Sequence, residues 1–115
     1  MTDIDDCRRA ILDLGSEDYY HLADAATYLP NISPARRVEI AREAMRQLLH
    51  EGLVQIYFGR LATNEVDSVP LMKAREVIQD STAWNAEYTE AGTYCFANTD
   101  AGDDEYRRTW RPSSG

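Results

Sequence analysis

Between Ser33 and Phe58 the chain spells a helix with both ends marked, followed at once by a strand, the strongest pattern in the sequence. Ser33-Pro34 pairs an N-cap hydroxyl with a proline at the first helical position, where its missing N–H costs nothing. Val38, Ala41, Met45, Leu48 and Leu49 then fall on one face at spacings of three and four, and Gly52 supplies the stop. Leu53 to Phe58, rich in β-branched and aromatic residues and bounded by Gly59, reads as a strand.

The flanking segments are shorter. Ile4, Cys7, Ala10, Ile11 and Leu14 make an amphipathic helix with Gly15 as its C′ residue. Tyr19-Tyr20-His21 fits either a short edge strand or a first helical turn, and it runs into a helix over Leu22–Leu29 that Pro30 closes. Leu61 to Glu65 reads as loop. Ser68 and Pro70 signal a new helix whose apolar face is Leu71, Ala74, Val77 and Ile78, ending near Asp80. Trp84 is expected on the core, since so large an apolar ring is seldom left exposed. Thr93 to Ala97 is a second strand. Thr99 then caps a last helix through Tyr106, with Asp100, Asp103, Asp104 and Glu105 near its positive end.

These elements fit one domain over residues 1–111, with 112–115 as a disordered tail. The excess of 20 acidic over 12 basic residues leaves a net charge of −8, a field that repels phosphate and anionic lipid at long range. The acidic start Met-Thr-Asp-Ile-Asp-Asp lacks the pattern of a signal peptide, and no stretch approaches a membrane span, so a cytoplasmic protein with no membrane partner is expected. Cys7 and Cys95 are far apart with no metal-ligand spacing, and read as buried thiols in a reducing compartment. His21 and His50 have neither an i,i+4 metal partner nor a nearby nucleophile, and no glycine-rich phosphate loop is present. The acidic run from Asp100 to Glu105 lacks the oxygen spacing of a calcium loop. The expectation is no enzymatic activity, no cofactor, no metal and no small-molecule ligand.

The run Leu48-Leu49-His50-Glu51-Gly52-Leu53-Val54-Gln55-Ile56-Tyr57 resembles the junction at which the recognition helix of winged helix-turn-helix domains passes into the wing. Tyr94-Cys95-Phe96-Ala97-Asn98-Thr99-Asp100-Ala101-Gly102 is similar to the returning wing strand and the start of a closing helix. The resemblance extends from about Cys7 to Tyr106. It implies an α+β, mainly α fold: a three-helix core with a two- to three-stranded wing and a C-terminal helix. The chain departs from the plain pattern by an inserted helix from Pro70 to Asp80 in the wing.

On that scaffold the helix from Ser33 to Gly52 would lie in the major groove of DNA. Residues 33–60 carry 5 bases and 3 acids, the one positive region, whereas 1–32 carry 7 acids to 2 bases and 61–115 carry 10 acids to 5 bases. At 100° per residue, however, Arg36, Glu39, Ile40, Glu43, Arg46 and Gln47 point outward. Glutamates in the middle of that face pair with arginines at i,i+3 and repel phosphate. The preferred expectation is therefore a non-catalytic binding module with a protein partner, including a homodimer of itself. The alternative is a regulator that binds duplex DNA through Arg36, Arg37, Arg42 and Arg46. The contact residues in either case are Arg36, Arg37, Glu39, Arg42, Glu43, Arg46, Gln47 and Arg60. Net charge alone also suits an acidic inhibitor of a basic toxin. Arg107-Arg108-Thr109-Trp110-Arg111 reads as a complement to the negative end of the last helix, and Tyr19, Tyr20, Tyr28, Tyr57 and Tyr94 as core or core-edge residues.

Overall fold

The computed structural model describes residues 3–26, 32–60, 65–84 and 92–109. Along these the elements run α1 (Asp3–Glu17), β1 (Tyr20–His21), α2 (Leu22–Ala26), α3 (Pro34–His50), β2 (Val54–Arg60), β3 (Glu65–Ser68), α4 (Leu71–Gln79), a 3-10 turn (Ser81–Trp84), β4 (Thr93–Asn98) and α5 (Asp100–Thr109). The strands form one antiparallel sheet in the order β1–β4–β2–β3, with β4 and β2 at its centre. The class is α+β with helix predominant among the described residues, as the sequence implied.

The helix-to-strand junction forms as its residues require. Ser33 Oγ accepts from the Arg36 amide, and proline occupies the first turn of α3. At the other end Gly52 adopts φ +75°, a left-handed conformation that a side chain would disfavour. The Leu53 amide donates to Leu48 O at 2.9 Å and the Gly52 amide to Leu49 O at 3.1 Å. This double bond pattern closes the helix with Leu48 and Leu53 both buried beneath it.

The core lies between the helices and one face of the sheet. Ile56 and Phe96, cross-strand neighbours and fully buried, meet Cys7 and Ile11 from α1, Leu22 and Ala25 from α2, Met45 and Leu48 from α3, and Ile78 from α4. Alternation puts Cys95 on the other face, opposite Tyr57, whose ring receives Tyr19 edge-on at 4.9 Å. Trp84 is 5% exposed, and its indole N–H donates to Ile78 O at 3.0 Å, capping the end of α4. Both cysteines are buried and not joined in a disulfide.

Three local expectations are corrected, and one left open is decided. Gly15 does not stop α1, which continues to Glu17; the glycine instead admits Asn98, whose Oδ1 would lie 2.3 Å from any Cβ there. Ser68 is not an N-cap. It pairs with Tyr57, the Val69 amide continues the ladder to Ile56 O, and Pro70 heads α4 without a side-chain cap. The preceding residue of a proline favours extended backbone, and here pairing with β2 takes it. Glu65 to Ser68 is thus a strand, so the described sheet has four strands rather than two or three. Tyr20–His21 resolves as the edge strand of the two alternatives. The expected continuation of α2 to Leu29, Tyr28, the loop 61–64 and the tail 112–115 lie outside the described residues.

Asn98 and Thr99 join three elements. Asn98 Nδ2 donates to Leu12 O of α1 at 2.8 Å and to Asp103 Oδ1 of α5 at 3.1 Å. Thr99 Oγ1 donates to Gly52 O at 2.7 Å and accepts from the Gly102 amide at 3.1 Å, while its own amide donates to Leu53 O. Tyr106 Oη adds a 2.7 Å bond to Asp13, a contact that pushes the phenol up to about 12.

Gly102 sits in the first turn of α5 against this joint, where a Cβ would lie 1.8 Å from Leu53 O. Alanine would be the better helix former by about 1 kcal/mol, yet the backbone clash outweighs it. Gly102→Ala is expected to lower stability by about 1–3 kcal/mol in denaturant melts, as overpacking does; a stabilised variant would refute the close approach.

His21 is 2% exposed, and its Nδ1 accepts the Ala23 amide at 2.9 Å, a role that only an unprotonated Nδ1 fills. Burial lowers its pKa below 6.5, against the smaller opposing pull of Asp24. The folded state therefore gains its proton later than the unfolded chain as pH falls. Stability is complete above the unfolded pKa and declines as pH drops below it, levelling off under the folded value. Unfolding free energies between about pH 7.5 and 5.5 are expected to fall more steeply for the native chain than for His21→Gln; equal slopes would remove His21 as the cause.

Candidate functional site

The outer face of α3 is the candidate site, and its character follows from how the helix is held. Ile40, Ala41, Ala44, Met45, Leu48 and Leu49 are buried. Ile40, expected to point outward, is only 3% exposed. The apolar stripe read from Val38 to Leu49 allowed for one covering surface, but α1, α2 and α4 all pack on α3, and Ile40 and Ala44 join the core. What remains outside is a narrow arc.

Along that arc the charges are tied together. Arg36 Nη1 bonds Glu39 at 3.1 Å. Arg46 grips Glu43 with Nε, at 2.8 Å, and with Nη2. Glu43 also accepts from Gln47 Nε2 at 3.2 Å, and Gln47 Oε1 accepts from Arg8 Nη1 of α1 at 2.8 Å. Arg8 closes the chain on Glu51, bidentate, with Nη2 to Oε1 at 2.8 Å. Five side chains, Arg46–Glu43–Gln47–Arg8–Glu51, form one continuous network. Hydrogen bonding from Arg46, then Gln47, holds the Glu43 carboxyl down at about 2. Arg8 likewise lowers Glu51, and both arginines are pushed further up by their carboxylates.

The expected contact residues are not brought together as one surface. Arg36, Glu39, Glu43 and Arg46 share the arc, and Gln47 is half-buried at its edge toward α1. Arg37 and Arg42 turn to the flanks, half-buried, each with a buried Nε that has no hydrogen-bond partner. Arg60 stands at the far end of β2, paired in register with Glu65, roughly 20 Å along the strand from the end of α3. In α5, Arg107 and Arg108 occupy the last turn and pair with Asp104 and Glu105; Trp110 and Arg111 lie outside the described residues.

Sequence reasoning missed Arg8 and Glu51. Glu51 follows Gln47 by one helical turn, a visible hint, but its partner is 43 residues away in sequence and no periodicity points to it. The thiols offer little to chemistry at neutral pH: burial pushes Cys7 up to about 12 and Cys95 to about 11. Among the described residues, the large apolar side chains that reach the surface are Leu71 and Met72, 47% and 80% exposed at the start of α4, and Phe58. Among the described residues no helix is long and apolar enough to cross a membrane. The chain matches no known protein family, no curated protein and no solved structure.

The side chains of Arg8 and Glu51 are 23% and 42% exposed, so solvent screens their attraction. A double-mutant cycle with Arg8→Met and Glu51→Gln is expected to give a coupling of about 0.5–1 kcal/mol near neutral pH. Because the folded Glu51 pKa is lowered from 4.5, that coupling is present above the unfolded value and fades as pH falls through the folded one. A coupling unchanged at pH about 2 would contradict the assignment.

Proposed function

We propose that the protein is a non-catalytic binding module on a winged-helix scaffold, and that its partner is a protein, a second copy of the chain foremost. The order of α1, β1, α2, α3, β2 and β4, with β1–β4–β2 adjacent in the sheet, supports the scaffold. In that frame α3 is the recognition helix, and β3 with α4 is the insertion within the wing.

The ion-pair network over α3 carries the reading. A helix that reads DNA presents guanidinium groups to phosphates and base edges. Here Arg36 and Arg46 are each engaged by a glutamate of the same helix, and Glu39 and Glu43 add negative charge at the centre of the face. A face whose charges are already neutralised loses less on docking against a protein than one with bare cations. Beside it, Leu71 and Met72 offer adjacent exposed apolar side chains on α4, which packs against α3. The second reading, duplex DNA, has one observation in its favour: Arg36 and Arg46 do reach the outer face of the one positive region.

Sedimentation velocity over a concentration series, run beside anisotropy of labelled duplex DNA at low and physiological salt, separates the two. The expected outcome is reversible dimerisation that Met72→Asp weakens, with no duplex binding. Micromolar duplex affinity that falls steeply with salt and is lost in Arg46→Ala, on a chain that stays monomeric, would overturn the protein reading in favour of DNA.

A further inference from the structure

Where α3 and α4 pack together, a cleft of about 380 Å³ opens, lined by Arg46, His50, Arg75, Ile78 and Gln79. Its lining runs against the composition of the chain. Acidic residues outnumber Lys and Arg by 20 to 12, yet none of the five lining residues is acidic. Arg46 and His50 stand one turn apart on α3, and Arg75 and Gln79 one turn apart on α4. Each helix therefore contributes two neighbouring polar side chains to one gap.

The donors also have capacity left. Glu43 takes the Nε and Nη2 edge of Arg46, which leaves Nη1 for another acceptor. The ion pairs nearest the cleft are Arg46–Glu43 and Lys73–Glu76, and neither engages Arg75 or His50. Among the described residues no carboxylate pairs with the Arg75 guanidinium. Two arginines, a histidine and a glutamine thus line one cleft, with Ile78 buried beneath them.

We propose that this cleft binds the phosphomonoester group of a small molecule. One guanidinium satisfies a carboxylate, whereas two guanidinium groups with further N–H donors suit a doubly charged oxyanion with three terminal oxygens. The volume lies near the small end of ligand sites, about 300–1,000 Å³, and the aliphatic stems of the arginine and glutamine side chains that line it give the organic part of the ligand its apolar contact. The singly charged diesters of a nucleic-acid backbone fit less well, because Glu43 on α3 and Glu76 on α4 flank the opening. The cleft shares Arg46 with the outer face of α3, but Arg75 and Gln79 belong to α4 alone, so Arg75→Ala tests the cleft without touching that face.

The test is a titration of the full-length chain, labelled with nitrogen-15, at constant ionic strength. Phenyl phosphate and inorganic phosphate are added in separate arms, with a short DNA duplex in a third. Saturable amide shifts centred on His50, Arg75 and Gln79 with phenyl phosphate are expected. Arg75→Ala, a change at an exposed position, should weaken that binding roughly tenfold, the loss of a charge-assisted contact. Arg107→Ala, on the distant α5, should leave it unchanged. A stronger response to phenyl phosphate than to inorganic phosphate supports an organic ligand. The proposal is overturned by the absence of a saturable shift, by shifts indifferent to Arg75→Ala, by a preference for inorganic phosphate, or by a response to the duplex alone.

Discussion

The bonds made by Asn98 and Thr99 at the end of β4 let a short sheet organise helices that come from both ends of the chain. Asn98 spends its amide N–H groups on α1 and α5, and Thr99 spends its hydroxyl on the α3–β2 junction and on the first turn of α5. Each bond alone contributes on the order of 1 kcal/mol. Their effect is geometric: they bring the backbone of α5 against Leu53 and the backbone of α1 against Asn98, so closely that Gly102 and Gly15 admit no side chain. The order of elements in space depends on that closeness. Once α1 is drawn to β4, it lies along α3, and Arg8 comes within reach of Gln47 and Glu51.

α3 is accordingly packed by α1, α2 and α4, the last at its Arg46–His50 end. Burial on so much of its circumference leaves only a strip for charge. On a chain of net charge −8, a strip of bare arginines would attract the chain's own carboxylates. Pairing with Glu39 and Glu43 at i,i+3 is the local solution, and the bond from Gln47 to Arg8 links it to the rest of the fold. Exposed pairs contribute little stability individually. Their consequence is for recognition, since each guanidinium must give up a partner before it meets a new one.

The parts of this arrangement legible in the sequence are those decided within about one helical turn. Ser33-Pro34 and Gly52 bound α3 because caps are local chemistry, and Ala74, Val77 and Ile78 located α4 by their spacing, although Leu71, read on the same face, is exposed. What escaped depends on neighbours distant in sequence. Ser68 carried a capping signal that pairing with β2 overrode, and Gly15 looked like a stop because only the approach of Asn98 explains it. Ile40 was assigned outward because a helical wheel carries no record of the elements that pack on the helix. The cleft is the extreme case: Arg46 and His50 on one helix and Arg75 and Gln79 on another become a group only when α3 and α4 meet.

The β3–α4 segment does more than fill the connection between β2 and β4. Val69 is stitched to the sheet by its amide on Ile56 O and by Gln55 Nε2 on its carbonyl, at 2.8 and 2.7 Å. That double attachment fixes where α4 begins, and Ala74, Val77 and Ile78 then fix which face it turns inward. Trp84 locks the other end through the Ile78 carbonyl. With both ends anchored, the remaining faces of α4 have defined positions: Leu71 and Met72 to solvent, Arg75 and Gln79 toward α3. Anchored at both ends, α4 thus presents apolar side chains to solvent on its first turn and, further along, an arginine, Arg75, that no carboxylate pairs among the described residues.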